Sequence, residues 1–425
     1  MNRIILIGNG FDLAHGLKTS YADFIDWYWG EWKERLLHSE SKSEEDGLVS
    51  FKLNDSNSEI NWVSIWDWYI RIKDPYKPWK NKEILEFAKS NKEWSDVVIT
   101  SPILEELCKQ LNERKWVDIE NVYFKHLSND NEKPEKVNFE LSVIRKRLID
   151  YLNEIQNAAP KELFKAEIQK MMLAPFDKKD IAISSLEQWR EMLQQRVKQP
   201  KEIWPGWIAS FFDDDRKFTL HSNVENFLLD HAAAIKERGI ENLKDIAIPV
   251  GLLLPDRVLM LNFNYTSVAD SYLPKLDRFN VNHIHGELSI PESVIFGYGD
   301  EMDENYKILS NKNDNEYLNN IKSIKYLESS NYRNLLDFIE SDSYQVFIMG
   351  HSCGNTDRTL LNALFEHKNC VSIKPFYYIR KDGTDNYMEL VQNISRNFTD
   401  MKLMRDRVVN KAFCKAYSDA RTVVS

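Results

Sequence analysis

Apolar residues in this chain follow two rhythms. Towards both ends they cluster in short stretches of three to five positions, mostly uninterrupted, that stop at Gly or Asn. In the middle they recur every three or four positions. The first rhythm belongs to strands buried on both faces of a parallel sheet, the second to amphipathic helices. Ile4-Ile5-Leu6-Ile7 stops at Gly8, residues 258–261 at Asn262, residues 281–285 at Gly286, residues 294–296 at Gly297 and residues 346–349 at Gly350. Residues 376–379 predict a last strand and residues 388–398 a closing helix. In the middle, Ser20 with Asp23 predicts a helix start, followed by Tyr21, Phe24, Ile25, Tyr28 and Trp32 on one face. Trp62, Ile65, Trp66 and Tyr69 repeat that spacing, as do Leu141, Ile144, Leu148, Tyr151 and Leu152. The polar stretch 37–61 predicts an exposed loop; residues 128–136, 200–205 and 213–217 predict further breaks.

Length and residue usage sharpen this division. A chain of 425 residues exceeds one ordinary core, so two lobes or a large insertion are expected. All twelve Trp lie between Trp27 and Trp207, whereas Gly8, Gly10 and Gly16 open the chain and most other glycines follow residue 235. The expected organisation is an α/β core from residues 1–20 and 250–425, with a Trp-rich helical insertion over residues 21–249. The net charge of −10 disfavours general binding to nucleic acid. The longest apolar stretch, residues 246–254, contains Pro249 and falls far short of the ~20 residues that cross a bilayer. The opening residues read as a strand rather than a signal peptide. None of the four cysteines forms a C-x-x-C pair, so neither a zinc ribbon nor a disulfide framework is expected. The expectation is a cytoplasmic protein with no membrane partner.

The strand ends carry the candidate chemistry, because ligands of parallel sheets bind there. Gly8-Asn9-Gly10-Phe11-Asp12 allows close backbone approach and is equally a phosphate loop or a structural turn. Leu13 occupies the third glycine position of a dinucleotide fingerprint. In Asn262-Phe263-Asn264-Tyr265-Thr266 an Asn can hold a sugar hydroxyl or a water, or simply close the strand. His283 and His285, two apart, would share one face of a strand; no acidic or thiolate partner at metal-binding spacing accompanies them, and a lone His there suits a general base at neutral pH. Gly350-His351-Ser352-Cys353-Gly354 matches G-x-S-x-G between strand and helix. The only later His is His367, directly after that loop's helix, which leaves no room for the acid of a hydrolase triad. A nucleotide-lining loop fits the same residues. Trp116-Val117-Asp118-Ile119-Glu120 reads as an amphipathic segment, with a substrate-facing Glu120 as the sharper alternative.

Taken in order, Ile5 to Leu17 with Thr19-Ser20-Tyr21, Asn262 to Thr266, His283 to Gly286, Ile295 to Gly299 and Met349 to Asp357 resemble the AbiH-like bacteriophage abortive-infection family over the whole length. More remotely, about the first 20 residues and the region after 255 resemble sirtuin-like NAD-binding domains, including phage-defence NAD hydrolases. The matching positions are Gly8, Gly10 and Gly16, then Asn264, His285 with Gly286, and Gly350 with Ser352. Two departures stand out. Thr266 replaces an Asp usual in sirtuins, and the paired C-x-x-C zinc module of deacylases is missing, as it also is in defence-type NAD hydrolases. The resemblance implies a parallel-sheet, sirtuin-like (Rossmann-related) α/β core with a large helical insertion; because an unregulated NAD hydrolase would harm its host, that insertion, or an oligomer formed through it, is the expected gate. It implies an anti-phage effector that binds NAD and hydrolyses it to nicotinamide and ADP-ribose, with no metal. Asn264 and His285 would be catalytic; Gly8, Asn9, Gly10, Asp12, Gly350 and Ser352 would hold the nucleotide. A phage-derived trigger and a homo-oligomer are further partners this reading allows. A non-catalytic nucleotide sensor is the alternative, and a serine esterase acting through Ser352 the third.

Overall fold

The structure, a computed structural model, describes residues 1–54, 61–65, 67, 94–114, 118–160, 163, 165–198, 214–243, 247–273 and 278–416, without the side chains of 112–114 and 214–221. Its described strands are β1 (Asn2–Ile7), β2 (Ser43–Glu45), β3 (Val49–Leu53), β4 (Ser95–Ile99), β5 (Val258–Asn262), β6 (Phe279–His283), β7 (Tyr344–Met349) and β8 (Cys370–Phe376). Contact density divides the chain into two units. One comprises Met1–Leu17, Ala159–Ile295 and Ser323–Ser425; the other comprises Lys18–Ala158 and Phe296–Lys322. Residues 159–249, grouped with the insertion by tryptophan content, thus cluster with the first unit, and residues 296–322 with the second.

The first unit is built on a five-stranded sheet, order β6-β5-β1-β7-β8, in which every pairing is parallel. It is α/β, as the continuous apolar runs require, because helices cover both faces. Ile4 and Leu6 of β1, Leu259 and Leu261 of β5, and Val346 and Ile348 of β7 face one side. They pack there against Leu335, Phe338, Leu361, Leu364, Leu390 and Ile394. Arg3 lies on the other side, fully buried and stacked on Phe176 and Phe347. Its guanidinium donates to the carbonyls of Met172 and Ala174 and to Gln345 Oε1. Burial lowers its pKa to about 9, opposed by Asp180, so it stays charged at neutral pH. The carbonyls it binds belong to the segment that covers this face.

Three strands differ from expectation. β6 ends at His283, so His285 lies beyond it. Residues 294–296 form no strand and follow a short 3₁₀ turn. The last strand is Cys370–Phe376 rather than 376–379; Ser372, Lys374 and Pro375 interrupt its apolar pattern, and Pro375 is tolerated because β8 is an edge.

In the second unit, Ser20 caps the helix Tyr21–His38 by accepting from the Asp23 amide at 3.2 Å, as its sequence predicts. Phe24, Ile25, Tyr28, Trp29 and Trp32 are buried along that helix. The stretch 37–61 is not all loop: β2, β3 and β4 form a three-stranded antiparallel sheet in which Val49, Phe51 and Leu53 are buried alternately. The long helix Pro134–Ala158 buries the predicted face of Leu141, Ile144, Leu148, Tyr151 and Leu152. Asp118 caps the helix Ile119–Leu127, and Glu120 points inward. Its carboxylate meets Lys322 Nζ at 2.8 Å and accepts the Gly297 amide at 3.1 Å. Both side chains are buried, so Glu120 is a structural ion pair inside this unit. The expected break at 213–217 is helical from Asp214. Trp66, Tyr69, Trp116, Val117 and the expected turn at 200–205 lie outside the described residues.

Two outcomes test this packing. Lys322→Met, which removes the buried ammonium that faces the Glu120 carboxylate, lowers unfolding free energy by ~3–5 kcal/mol in denaturant titrations; a loss below ~1 kcal/mol contradicts the buried pair. Gly350 and Gly383 both have left-handed backbones, φ +79° and +82°. A Cβ on Gly350 would meet the Phe11 amide nitrogen at 2.2 Å, whereas one on Gly383 meets nothing within 4 Å. Gly383→Ala therefore costs ~1–2 kcal/mol, and Gly350→Ala costs that and a backbone overlap besides. Equal losses would show that the two loops do not touch.

Candidate functional site

Numbered by chain order within the sheet, the strands run third, second, first, fourth, fifth. The order reverses beside β1, and in such sheets ligands bind outside the carboxyl ends at the reversal. There the loops after β1 and β7 are in direct contact. Gly10 N–H donates to Gly350 O at 2.8 Å, and Ile7 pairs with Gly350 in an isolated bridge. A Cβ on Gly8 would meet His351 Cα at 2.6 Å, and one on Gly10 would meet Gly350 O at 2.8 Å. The glycines are thus explained by close packing of two loops. The Phe11 amide donates back to Gly8 O at 2.8 Å. Asn9 is the exposed residue of the loop, and Ser352 is exposed in the partner loop.

The contact presents Asp12, on the short helix Asn9–Ala14, to the end of β5. Asp12 Oδ1 accepts from Asn264 Nδ2 at 2.9 Å, and Asp12 Oδ2 accepts from the Thr266 hydroxyl at 2.6 Å. Asn264 Nδ2 also donates to Gly8 O at 3.0 Å. Both amide hydrogens of Asn264 are therefore engaged. Its amide orientation is set by a carboxylate and a carbonyl, leaving Oδ1 as an acceptor on a half-buried side chain. Asp12 is 2 % exposed. Burial raises its pKa from 3.8 to about 7, against the lowering effect of the Thr266 and Asn264 hydrogen bonds.

Behind this helix His15 is held by two partners. Its Nδ1 faces Phe11 O at 2.7 Å, an acceptor, so Nδ1 carries the proton and Nε2 accepts from the Tyr272 hydroxyl. Burial lowers the His15 pKa to about 4, which keeps the ring neutral. Lys165 donates its backbone amide to the Tyr272 hydroxyl and its Nζ to Ala14 O. These bonds anchor the carboxyl end of the Asp12 helix.

The two histidines of His283-Ile284-His285 do not share a face, because the strand ends between them. His283 faces Asp270, 2.9 Å away, and Asn262. His285 is buried on the other side, with Nε2 at 3.1 Å from the Tyr326 hydroxyl and 3.2 Å from Asp357 Oδ1. Asp357 Oδ2 lies 3.6 Å from His351 Nε2. The Phe263 ring lies against both imidazoles, at 5.1 Å from His285 and 4.1 Å from His351. Single-motif reasoning missed His351 and Asp357 as partners of His285. The signal available was two ionisable residues bracketing the Gly-rich loop.

A serine-hydrolase arrangement does not assemble with His367. That ring faces Glu340 and stacks on Tyr344, at the start of β7, whereas Ser352 follows its end. A six-residue strand spans roughly 20 Å. Among the described residues no group of three His, Cys, Asp or Glu could hold a metal ion, and no helix is long and apolar enough to cross a membrane. Two surface depressions, one bounded by Arg35, Asp46 and Arg147 and one by Asn226, His231 and Val250, are lined by none of Asp12, Asn264 and His285.

Fold and site together define an α/β protein whose polar residues gather at the carboxyl ends of its parallel strands. The chain belongs to the bacteriophage abortive infection AbiH family, whose model matches residues 4–378. Its role is accordingly one in phage abortive infection. No curated protein and no solved structure matches the chain.

The carboxyl of Asp12 gives a pH signature. Its folded pKa lies above its unfolded value, so the unfolded chain ionises first. The stability it contributes is present below about pH 4 and is lost as pH rises to about 7. Between pH 5 and pH 8 the parent chain should lose on the order of 2–3 kcal/mol that Asp12→Asn does not lose. Denaturant titrations at the two pH values check this, and identical losses in both proteins would contradict it.

Proposed function

We propose that this chain is an abortive-infection effector whose sheet unit binds NAD and hydrolyses its N-glycosidic bond, giving nicotinamide and ADP-ribose. The observation that carries the reading is the orientation of Asn264. With both amide hydrogens engaged by Gly8 and Asp12, its Oδ1 is an acceptor fixed at a strand end, suited to a ribose hydroxyl or a water. The strand order is that of Rossmann-type dinucleotide sheets, which supports a Rossmann-related, sirtuin-like core. Thr266 stands where sirtuins usually carry an acid. Here its hydroxyl binds Asp12, which brings a carboxyl to the same neighbourhood from the helix after β1.

In this reading a water oxygen bonds to the anomeric carbon of the ribose as the glycosidic bond breaks. The bonding pair leaves with the nicotinamide nitrogen and neutralises its positive charge. The water proton passes to His285 and then to solvent. The transition state is oxocarbenium-like, as in glycoside cleavage. Because Gly10 N–H is engaged by Gly350, the diphosphate contact of the first loop falls to Gly8 and the exposed Asn9, with Gly350 and Ser352 on the adenosine side.

A nucleotide sensor without catalysis is the second reading, and the closure of the Asp12–Asn264–Thr266 cluster favours it. Calorimetry with NAD and chromatography of nicotinamide separate the two. The effector reading expects binding and nicotinamide release by the parent chain, with release reduced ~10²–10⁴-fold and binding retained in His285→Ala. NAD bound but intact would establish the sensor, and no binding at all would overturn both readings.

A further inference from the structure

Asp357 is buried beside two imidazoles that approach it from different elements. His285 comes from the turn after β6, and His351 from the loop after β7. The loop is built to hold His351 in place. Cys353 adopts φ +54°, a left-handed conformation that is unfavourable for a non-glycine residue. Two hydrogen bonds hold that turn: Asn397 donates to Cys353 O at 2.9 Å, and the Cys353 amide donates to His351 Nδ1 at 3.0 Å. The second bond makes Nδ1 of His351 an acceptor, so in the neutral ring the proton sits on Nε2, which faces Asp357 Oδ2. An ionised carboxylate is an acceptor at both oxygens. His285 Nε2, 3.2 Å from Oδ1, is placed to donate to it.

We propose that Asp357 is a positioning residue for His285: one carboxylate oxygen faces each imidazole, which fixes His285 with its proton on Nε2 and its lone pair on Nδ1. This rests on His285 being the base of the proposed hydrolysis. The imidazolium formed in that reaction lies against the Asp357 carboxylate. The Tyr326 hydroxyl at 3.1 Å and the edge-on Phe263 ring also lie against His285. His351 lies on the far side of the carboxylate, its Nε2 3.6 Å from Oδ2.

The geometry makes a specific demand on Asp357→Asn. An asparagine removes the carboxylate that faces His285 Nε2 at 3.2 Å and can offer that nitrogen only a neutral oxygen or an opposing N–H. The His285 ring must change tautomer or trade a charged partner for a neutral one. The measurement is the ¹⁵N ring spectrum of full-length protein with labelled histidine, assigned through His285→Gln and His351→Gln, alongside NAD turnover. The parent chain is expected to show both rings as the Nε2–H tautomer. Asp357→Asn is expected to alter at least one ring and to lower kcat ~10²-fold or more with KM little changed. An Nδ1–H tautomer at His285 in the parent chain, or an unchanged spectrum in Asp357→Asn, would overturn the assignment. Should the variant not fold, the parent spectrum alone decides. Absence of NAD turnover in the parent would remove the proposed reaction, yet the histidine spectrum would still decide whether Asp357 sets the His285 tautomer.

Discussion

The approach of Gly350 to the backbone of Gly10 and Phe11 is the constraint on which the site depends. A side chain on any of Gly8, Gly10 or Gly350 would overlap the facing loop. With that contact made, the loops after β1 and β7 become one surface. The Asp12 helix is held against the end of β5, where Asn264 and Thr266 bind its carboxyl. The same contact sets the start of the loop that carries His351 and Asp357. Three strand ends, far apart in sequence, are tied by backbone proximity before any side chain acts.

The polar groups gathered there are costly to bury and are therefore paired. Asp12 has two donors, His15 a fixed tautomer, and Asp357 an imidazole on each side. Buried networks of this kind are stable only when nearly every member is satisfied. That explains why the cluster is closed, and why single changes in it are expected to alter proton positions more than shape. For the proposed hydrolysis the same rigidity would direct an Asn264 oxygen and a His285 nitrogen without reorganisation during reaction.

Much of the sheet was legible in sequence because β1, β5 and β7 lie in its interior and are apolar on both faces. The edge strand β8 was not, since Ser372, Lys374 and Pro375 break its run, and β6 was read two residues late. The second unit's β3 hid in a polar stretch whose alternate Val49, Phe51 and Leu53 carry a two-residue period. At the site, Asn264, His285 and the glycines could be found as residues that end strands. Asp12 was visible as a candidate ligand contact, but its true neighbours lie about 250 residues away. The link between His285 and Asp357 has no local signal, because one stands after β6 and the other after β7.

The central claim is that the chain cleaves NAD with water. Incubation of the purified protein with NAD in ¹⁸O-labelled water, followed by mass spectrometry of the products, addresses it most directly. The account predicts nicotinamide and ADP-ribose in equal amounts, with one labelled oxygen in each ADP-ribose formed. NAD recovered intact, or cleaved elsewhere than at the glycosidic bond, would contradict it.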